Sequence, residues 1–454
     1  MQRKRRDFMK AVSTGSLGVA VGVSGCLSEE EVEVEGFDQS SIADADIDWR
    51  KHEGEELTLG FVEHPFVDNF EPLEGAFEEL TGISLNWDVL PESEFRTQRD
   101  TDLTTEGGNW DVFMTDQVVT QYYESGWLQP LDDYFDDDDL YDENWYRTED
   151  IFDASVDACH AAGTADEWTG LPITVEALTL FYRTDLYEEY DLEEPETMDE
   201  LLDNVETISE NEDMPGVVAR GERGFGMNIF ILNSYIRSWG GDLWAEYPER
   251  SGLDSDEAIA AAEFYVDMLQ EYGPADAASY EWSDVLAAMQ QGQAGHIATD
   301  ANLFYPDLTD PDESVVADDL GIAEMPVPDG GRFAPNAFTW QISTQRAADN
   351  PEAAWLFMLF ATCQETQEWM GEQGASFLTR QSAWETDAYR EQVGEEFAEV
   401  SMNSLNGAIG DEFDVNYPEW GEEYSTELQA AIDGGKSVEE AMTDAARTAE
   451  DIVN

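Results

Sequence analysis

An α/β fold in two lobes, each a sheet flanked by helices, is what the 454 residues predict, and three observations carry the prediction. The chain is long enough for two or more domains, and its 42% hydrophobic and 12% aromatic content can fill large cores. Past residue 56, strand-like and helix-like patterns alternate. Further on, the run 170–187 (GLPITVEALTLFYRTDLY) has the apolar, aromatic look of a buried strand, with Glu176 in its middle and no cation beside it. A carboxylate there is either held by a hidden structural partner or faces a polar cleft, because a buried charge is costly unless bonded or paired.

The charge sets the surroundings. Against 103 Asp+Glu stand 21 Lys+Arg, a formal charge of -82. That sign argues against nucleic acid as a partner. At low ionic strength so many like charges loosen a fold, whereas at about 1 M salt the screening length falls to about 3 Å. The composition therefore predicts a halophilic protein with a solvated acidic surface. The abundant aromatics separate it from disordered acidic chains.

The chain opens with Arg5-Arg6 ahead of a short apolar, glycine-containing run that ends at Val23-Ser24-Gly25-Cys26. Residues 1–25 read as a secretory signal peptide, too short for a retained membrane span. The twin arginines resemble the twin-arginine export signal, and the last four residues resemble a lipobox with Cys26 as the lipidated residue. Residues 26–56 are expected to be an acidic tether held extended by self-repulsion.

In the body, 57–62 (LTLGFV) predicts a strand followed by the loop residues Glu63 and His64. Phe70, Leu73, Phe77 and Leu80 recur at helical spacing up to Gly82, a C-cap. A second strand over 83–90, a helix over 93–105 and a third strand over 110–115 (WDVFMT) complete a β-α-β-α-β order. That order implies a mostly parallel sheet with ligands outside the carboxyl ends of its strands, where Glu63, His64 and Asp116 fall. Thr197, with Glu200 three residues on, predicts a capping box. Arg220 and Arg223 sit together in a glycine-rich loop; they pair with surface acids or form planar forks for adjacent hydroxyls. Strand 296–299 ends at Asp300 and Asn302, and is read as returning the chain to the first lobe. A second crossing is expected over 335–344 (PNAFTWQIST), before a helix over 351–362. Tyr417 and Trp420 fall in a proline-containing loop, either in the core or on one rim of the cleft. Cys159 and Cys363, far apart in sequence, read as free buried thiols, with a single disulfide the alternative.

Several of these segments together resemble the carbohydrate-binding proteins of ABC importers, the maltose-binding-protein family. The pattern P-I-x-V-E-A-L-x-L-x-Y-x-x-D-L around Glu176 resembles their segment past the first interlobe crossing. Phe77–Ile83 is similar to F-E-x-x-T-G-I, 126–131 to G-x-L-x-P-L, 195–201 to P-x-T-W-x-E-L with Met198 in place of Trp, and 378–382 to P-x-R-x-S with Leu378 in place of proline. The arginine loop, the segment 237–244 (RSWGGDLW) and 264–274 look most like the branch that binds sorbitol and mannitol. The resemblance covers about 57–382. It implies a two-lobed, periplasmic-binding-protein-like fold of type II, with Glu176 bonding to sugar hydroxyls. The expected division is 57–131 and 300–340 in lobe 1, with 132–299 and 341–454 in lobe 2.

Other chemistry finds little support. His52, His64, His160 and His296 form no HExxH or close cluster, phosphate-loop glycines are absent, and 136–139 (DDDD) lacks the alternating ligands of a calcium loop. No cofactor and no metal are expected. The reading is a lipid-anchored, extracytoplasmic binding component of an ABC importer, delivering a sugar or sugar alcohol to a permease and its ATPase by lobe closure, and not an enzyme. The candidate contacts are Glu63, His64, Asp116, Glu176, Arg220, Arg223, Trp239, Asp300, Asn302, Trp340 and Tyr417. An anchored extracellular glycoside hydrolase, or the same fold carrying a polyamine or other non-sugar solute, is the alternative.

Overall fold

The structure, a computed structural model, describes residues 34–116, 118–161, 167–224, 226–410 and 414–454. The signal peptide, the twin arginines and Cys26 lie outside the described residues.

Strands β1 (Glu56–Val62), β2 (Ser84–Leu90) and β3 (Val112–Thr115) form the predicted parallel start, in the order β2-β1-β3. The helix Glu74–Thr81 between the first two ends on Gly82 at φ 71°, the left-handed C-cap its sequence announces. Gly60 in β1 is small for a packing reason: a Cβ there would meet the Trp110 ring at 2.2 Å. That indole in turn stacks on Phe95 with ring centroids 5.3 Å apart.

The long strand β4 (Leu171–Arg183) joins two sheets. Ordinary strands run about 5–6 residues; β4 has 13 because its halves have different partners. Its first half pairs antiparallel with β10 (Ala337–Ser343), which continues to β3. Its second half pairs antiparallel with β8 (His296–Ala301) and β9 (Leu320–Glu324), and β8 runs parallel to the short β5 (Val217–Val218). The remaining strands, β6 (Trp244–Glu246) and β7 (Arg250–Ser251), form a separate ribbon.

This topology changes three expectations. The return to the first sheet does not happen at 296–300, because β8 and β9 both flank the second half of β4; it happens at β10. The helix Pro351–Thr362, buried on nearly every face, belongs with the first sheet and not the second: its Phe357 packs on Phe70, Phe77 and Trp87. Tyr134 and Phe135 likewise stack on Trp355 of that helix, so the start of the expected second lobe also sits beside the first sheet.

The acidic tether is not free along its whole length. From residue 34 it lies on the body, with Phe37 edge-on to Phe360 and Trp369 and with Ile42 and Trp49 buried. Three apolar side chains in a run of acids are too sparse for a periodic pattern, yet enough to dock it. Elsewhere local chemistry behaves as read: Thr197 and Glu200 close a capping box on the helix Met198–Asn211, and Ser255 caps Asp256–Tyr272. Cys159 and Cys363 are buried free thiols, and burial raises both above the usual thiol value. Among the described residues no group of His, Cys, Asp and Glu could hold a metal ion, and no helix is long and apolar enough to cross a membrane.

Candidate functional site

Register in the central strands builds the floor of a cleft. Glu176 of β4 lies opposite Phe338 of β10, and Trp340 is two residues further along β10, so the carboxylate and both rings share one face of the sheet. The three line a cavity of about 160 Å³. One wall adds Glu63 and His64 after β1, and Glu92 and Arg96 from the helix Glu92–Thr105. The facing wall adds Arg220, Phe230 from the helix Asn228–Ser238, Trp282 from Trp282–Gln290, and Phe304.

Each wall presents one arginine, braced from behind. Arg220 Nε donates to Asp300 Oδ2 at 3.0 Å, while its two Nη groups donate to Asp300 Oδ1 and to the Gly226 carbonyl. Its guanidinium lies 5.2 Å over the Phe230 ring and 5.7 Å over Phe304. Arg96 donates to Glu92 through Nε at 3.0 Å and Nη2 at 2.9 Å, and to Asp116 through Nη1. It lies 5.1 Å over the Trp340 ring. A guanidinium has five N–H donors, so three bonds leave each arginine two for a guest.

Glu176 is 8% exposed, and among the described residues nothing donates a hydrogen bond to it. Burial pushes its carboxyl up to about 7; Arg220 opposes the rise, and Asp300 and Glu92 add to it. His64 Nδ1 accepts the Phe66 N–H at 3.1 Å, capping the helix Pro65–Phe70. The ring proton of neutral His64 therefore sits on Nε2, a buried atom with no hydrogen-bond partner among the described residues. Burial lowers the imidazole to about 4, so it is a neutral donor at pH 7. Aromatic faces, two arginine forks, an acid whose carboxyl is raised by burial and an imidazole donor suit an uncharged molecule rich in hydroxyls.

Of the sequence candidates, Glu63, His64, Glu176, Arg220 and Trp340 line this cavity. Asp116, Asp300 and Asn302 do not; they stand one layer back. Asp116 and Asp300 hold Arg96 and Arg220, and Asn302 Oδ1 accepts the N–H of Ala177, next to Glu176, at 3.0 Å while its amide donates to the Ser376 carbonyl. Arg223 points to the surface beside Glu422 and Thr426. Trp239 packs on Tyr235 and Phe264, and Tyr417 opens the helix Tyr417–Ile432 as a buried core residue against Trp420. In each of these three the side chain found a nearer apolar or acidic partner than the cleft. Sequence reasoning missed Glu92, Arg96, Phe304, Trp282 and Phe338. Only Arg96 left a trace, as a rare cation in an acidic chain.

Comparison with known proteins gives a consistent picture. The model of the family described as bacterial extracellular solute-binding protein matches residues 66–368. The mannitol-binding protein of Pseudomonas aeruginosa is 28% identical over 80% of this chain and 81% of its own. The erythritol/L-threitol-binding protein of Mycolicibacterium smegmatis is 25% identical over 75% of this chain and 73% of its own. Among solved structures, an ABC transporter solute-binding protein from Agrobacterium vitis with bound D-mannitol superposes with a TM-score of 0.72 at 25% identity, over 88% of this chain and 98% of that one.

Proposed function

The chain belongs to the bacterial extracellular solute-binding protein family, with the type II fold of its sugar- and polyol-binding relatives, and from that premise we propose that it captures a small sugar alcohol for an ABC importer. The observation that carries the reading is that two arginines with unspent donors line one cavity with Glu176 and a set of aromatic faces. Forks bond vicinal hydroxyls, and rings cover the C–H faces between them. The cavity of about 160 Å³ is below the ~300–1,000 Å³ of drug-sized pockets, which favours a short linear polyol over an oligosaccharide.

In this reading β4, whose halves pair in both sheets, and β10 beside its first half are the hinge strands. The lobes turn about them to close on the ligand, and the closed form is the state the permease engages. Cys26 carries a lipid after twin-arginine export, leaving the body on the outer face of the cytoplasmic membrane, and the acidic surface suits molar salt. The protein binds without turnover.

A thermal-shift series in several molar KCl tests it, with erythritol, ribitol, D-mannitol, maltose and spermidine. A polyol at a hundred times its Kd stabilises the folded state by about 2.7 kcal/mol. A midpoint raised by spermidine or maltose alone overturns the polyol reading, and release of monosaccharide from an oligosaccharide panel overturns the non-enzymatic one. Mass spectrometry of the native protein tests the anchor: the first peptide begins at a lipid-modified Cys26, and an intact residue 1 removes the anchor.

A further inference from the structure

Glu176 combines three properties in one side chain: it lines the cleft, it is almost wholly buried, and it has no hydrogen-bond partner among the described residues. Arg220, the cation whose field reaches it, already gives both ends of its fork to Asp300 and an Nη to the Gly226 carbonyl. The charged and titratable groups around the carboxyl are Arg220, Asp300 and Asp307 on one wall, and Glu63, His64, Glu92 and Arg96 on the other; β10, its paired strand, carries none. His64 is neutral, and Asp116 stands behind Arg96. Carboxylates thus outnumber the two guanidinium groups, and the cleft does not compensate a further negative charge.

A ligand hydroxyl entering this space replaces one water at the carboxyl, but its carbon skeleton removes the solvent beyond. The loss falls on the charged form alone. A carboxylic acid meets a hydroxyl better here, since its O–H donates to the ligand oxygen while its C=O accepts the ligand O–H. An anionic ligand finds uncompensated carboxylates instead, an arrangement that discriminates by repulsion.

We propose that Glu176 enters the ligand-bound cleft as a carboxylic acid, so that an uncharged polyol is captured together with one proton from solvent and sugar acids are rejected. The inference rests on the polyol reading and adds to it the ligand's charge class and a proton. The acid's position near neutrality in the free cleft makes the effect observable. Its sign follows from linkage: the bound form holds its proton more tightly than the free form. Affinity is therefore full below about pH 7 and is lost as pH rises toward the higher bound value.

Titration calorimetry of the protein in molar KCl, with D-mannitol and erythritol from pH 5.5 to 9, tests this in two buffers of different protonation enthalpy. The expected result is a level affinity on the acid side, a decline of up to about tenfold per pH unit above neutrality, and uptake of up to one proton per ligand near pH 8. D-Mannonate, the matching sugar acid, binds at least a hundredfold more weakly at pH 8. Glu176→Gln, which keeps a donor and an acceptor, still binds polyol but with no pH slope and no proton uptake. Zero uptake or proton release, affinity rising with pH, mannonate binding as tightly as mannitol, or an unchanged slope in Glu176→Gln each overturns the proposal. If that variant fails to fold, the proton count on the parent protein decides. Polyol binding without a proton overturns this inference alone, whereas no polyol binding at any pH overturns the functional reading and this with it.

Discussion

Arg96 on one wall of the cleft and Arg220 on the other are each held by an aspartate and each lie over aromatic faces, yet their side chains are 23% and 7% exposed. Arg220 depends on one carboxylate, the fully buried Asp300, and its own carbonyl is pinned by the Tyr265 hydroxyl at 2.6 Å. Arg96 shares its charge between Asp116 and the half-exposed Glu92, one helical turn away on its own helix. The difference separates two ways of presenting the same fork. The Arg220 wall has one bonded carboxylate and no second acid among the described residues to share the charge. The Arg96 wall is redundant, because its guanidinium is shared between two acids.

Removing the one carboxylate bonded to Arg220 should give the largest effect. Asp300→Ala leaves a buried guanidinium uncompensated, and a loss of about 3–5 kcal/mol is expected in denaturant unfolding in molar salt. A loss under 1 kcal/mol would make the two walls alike. Asp116→Ala should cost less, about 2 kcal/mol by the same measurement, because Glu92 stays on Arg96.

The Asp116 effect also has a pH signature. Burial alone would raise this carboxyl, but Arg96, Arg99 and the Val118 N–H more than reverse it, so it lies below its usual 3.8. Its contribution is full above that usual value and is lost as pH falls through the lower folded one. The stability gap between the parent and Asp116→Asn should therefore hold level down to about pH 4 and narrow below it; a gap that widens toward acid reverses the assignment.

At the rim, Trp282 is 40% exposed with its ring 6.4 Å from Phe304. Trp282→Ala should weaken polyol binding by about 1 kcal/mol, roughly fivefold in calorimetry, with stability changed by under about 0.5 kcal/mol. An unchanged affinity removes the rim from the site. The smallest effect belongs to Glu92→Gln, whose half-exposed pair contributes about 0.5 kcal/mol to the unfolding midpoint. A loss as large as that of Asp300→Ala would show that the Arg96 wall has no redundancy.

Much of this was readable in advance, and the boundary is instructive. Glu176 declared itself as an acid in an apolar strand, and Trp340 as a ring in a strand expected to cross between lobes. Asp300 and Asp116 were found at strand ends, where ligands are expected, but each is taken by an arginine that reaches it from another element. Sequence position puts an acid and a ligand at the same place; only the third dimension shows a guanidinium between them. Trp282 and Phe338 left no signal because an aromatic in a helical or strand pattern is ordinarily core. The docked segment around Phe37 and Trp49 was hidden for a different reason: its three apolar side chains are spread too thinly among acids to form a periodic pattern.

By itself the sequence determined the alternation of strand and helix, the caps at Gly82, Thr197 and Ser255, the acidic surface, and the family, because each depends on residues close together along the chain. Tertiary structure alone decided that β4 is shared by two sheets, that Phe338 and Trp340 flank Glu176, and that two aspartates brace arginines and leave Glu176 without a partner among the described residues. Those are matters of register and packing between distant segments, and the field and solvent around a carboxyl are set by its neighbours in space.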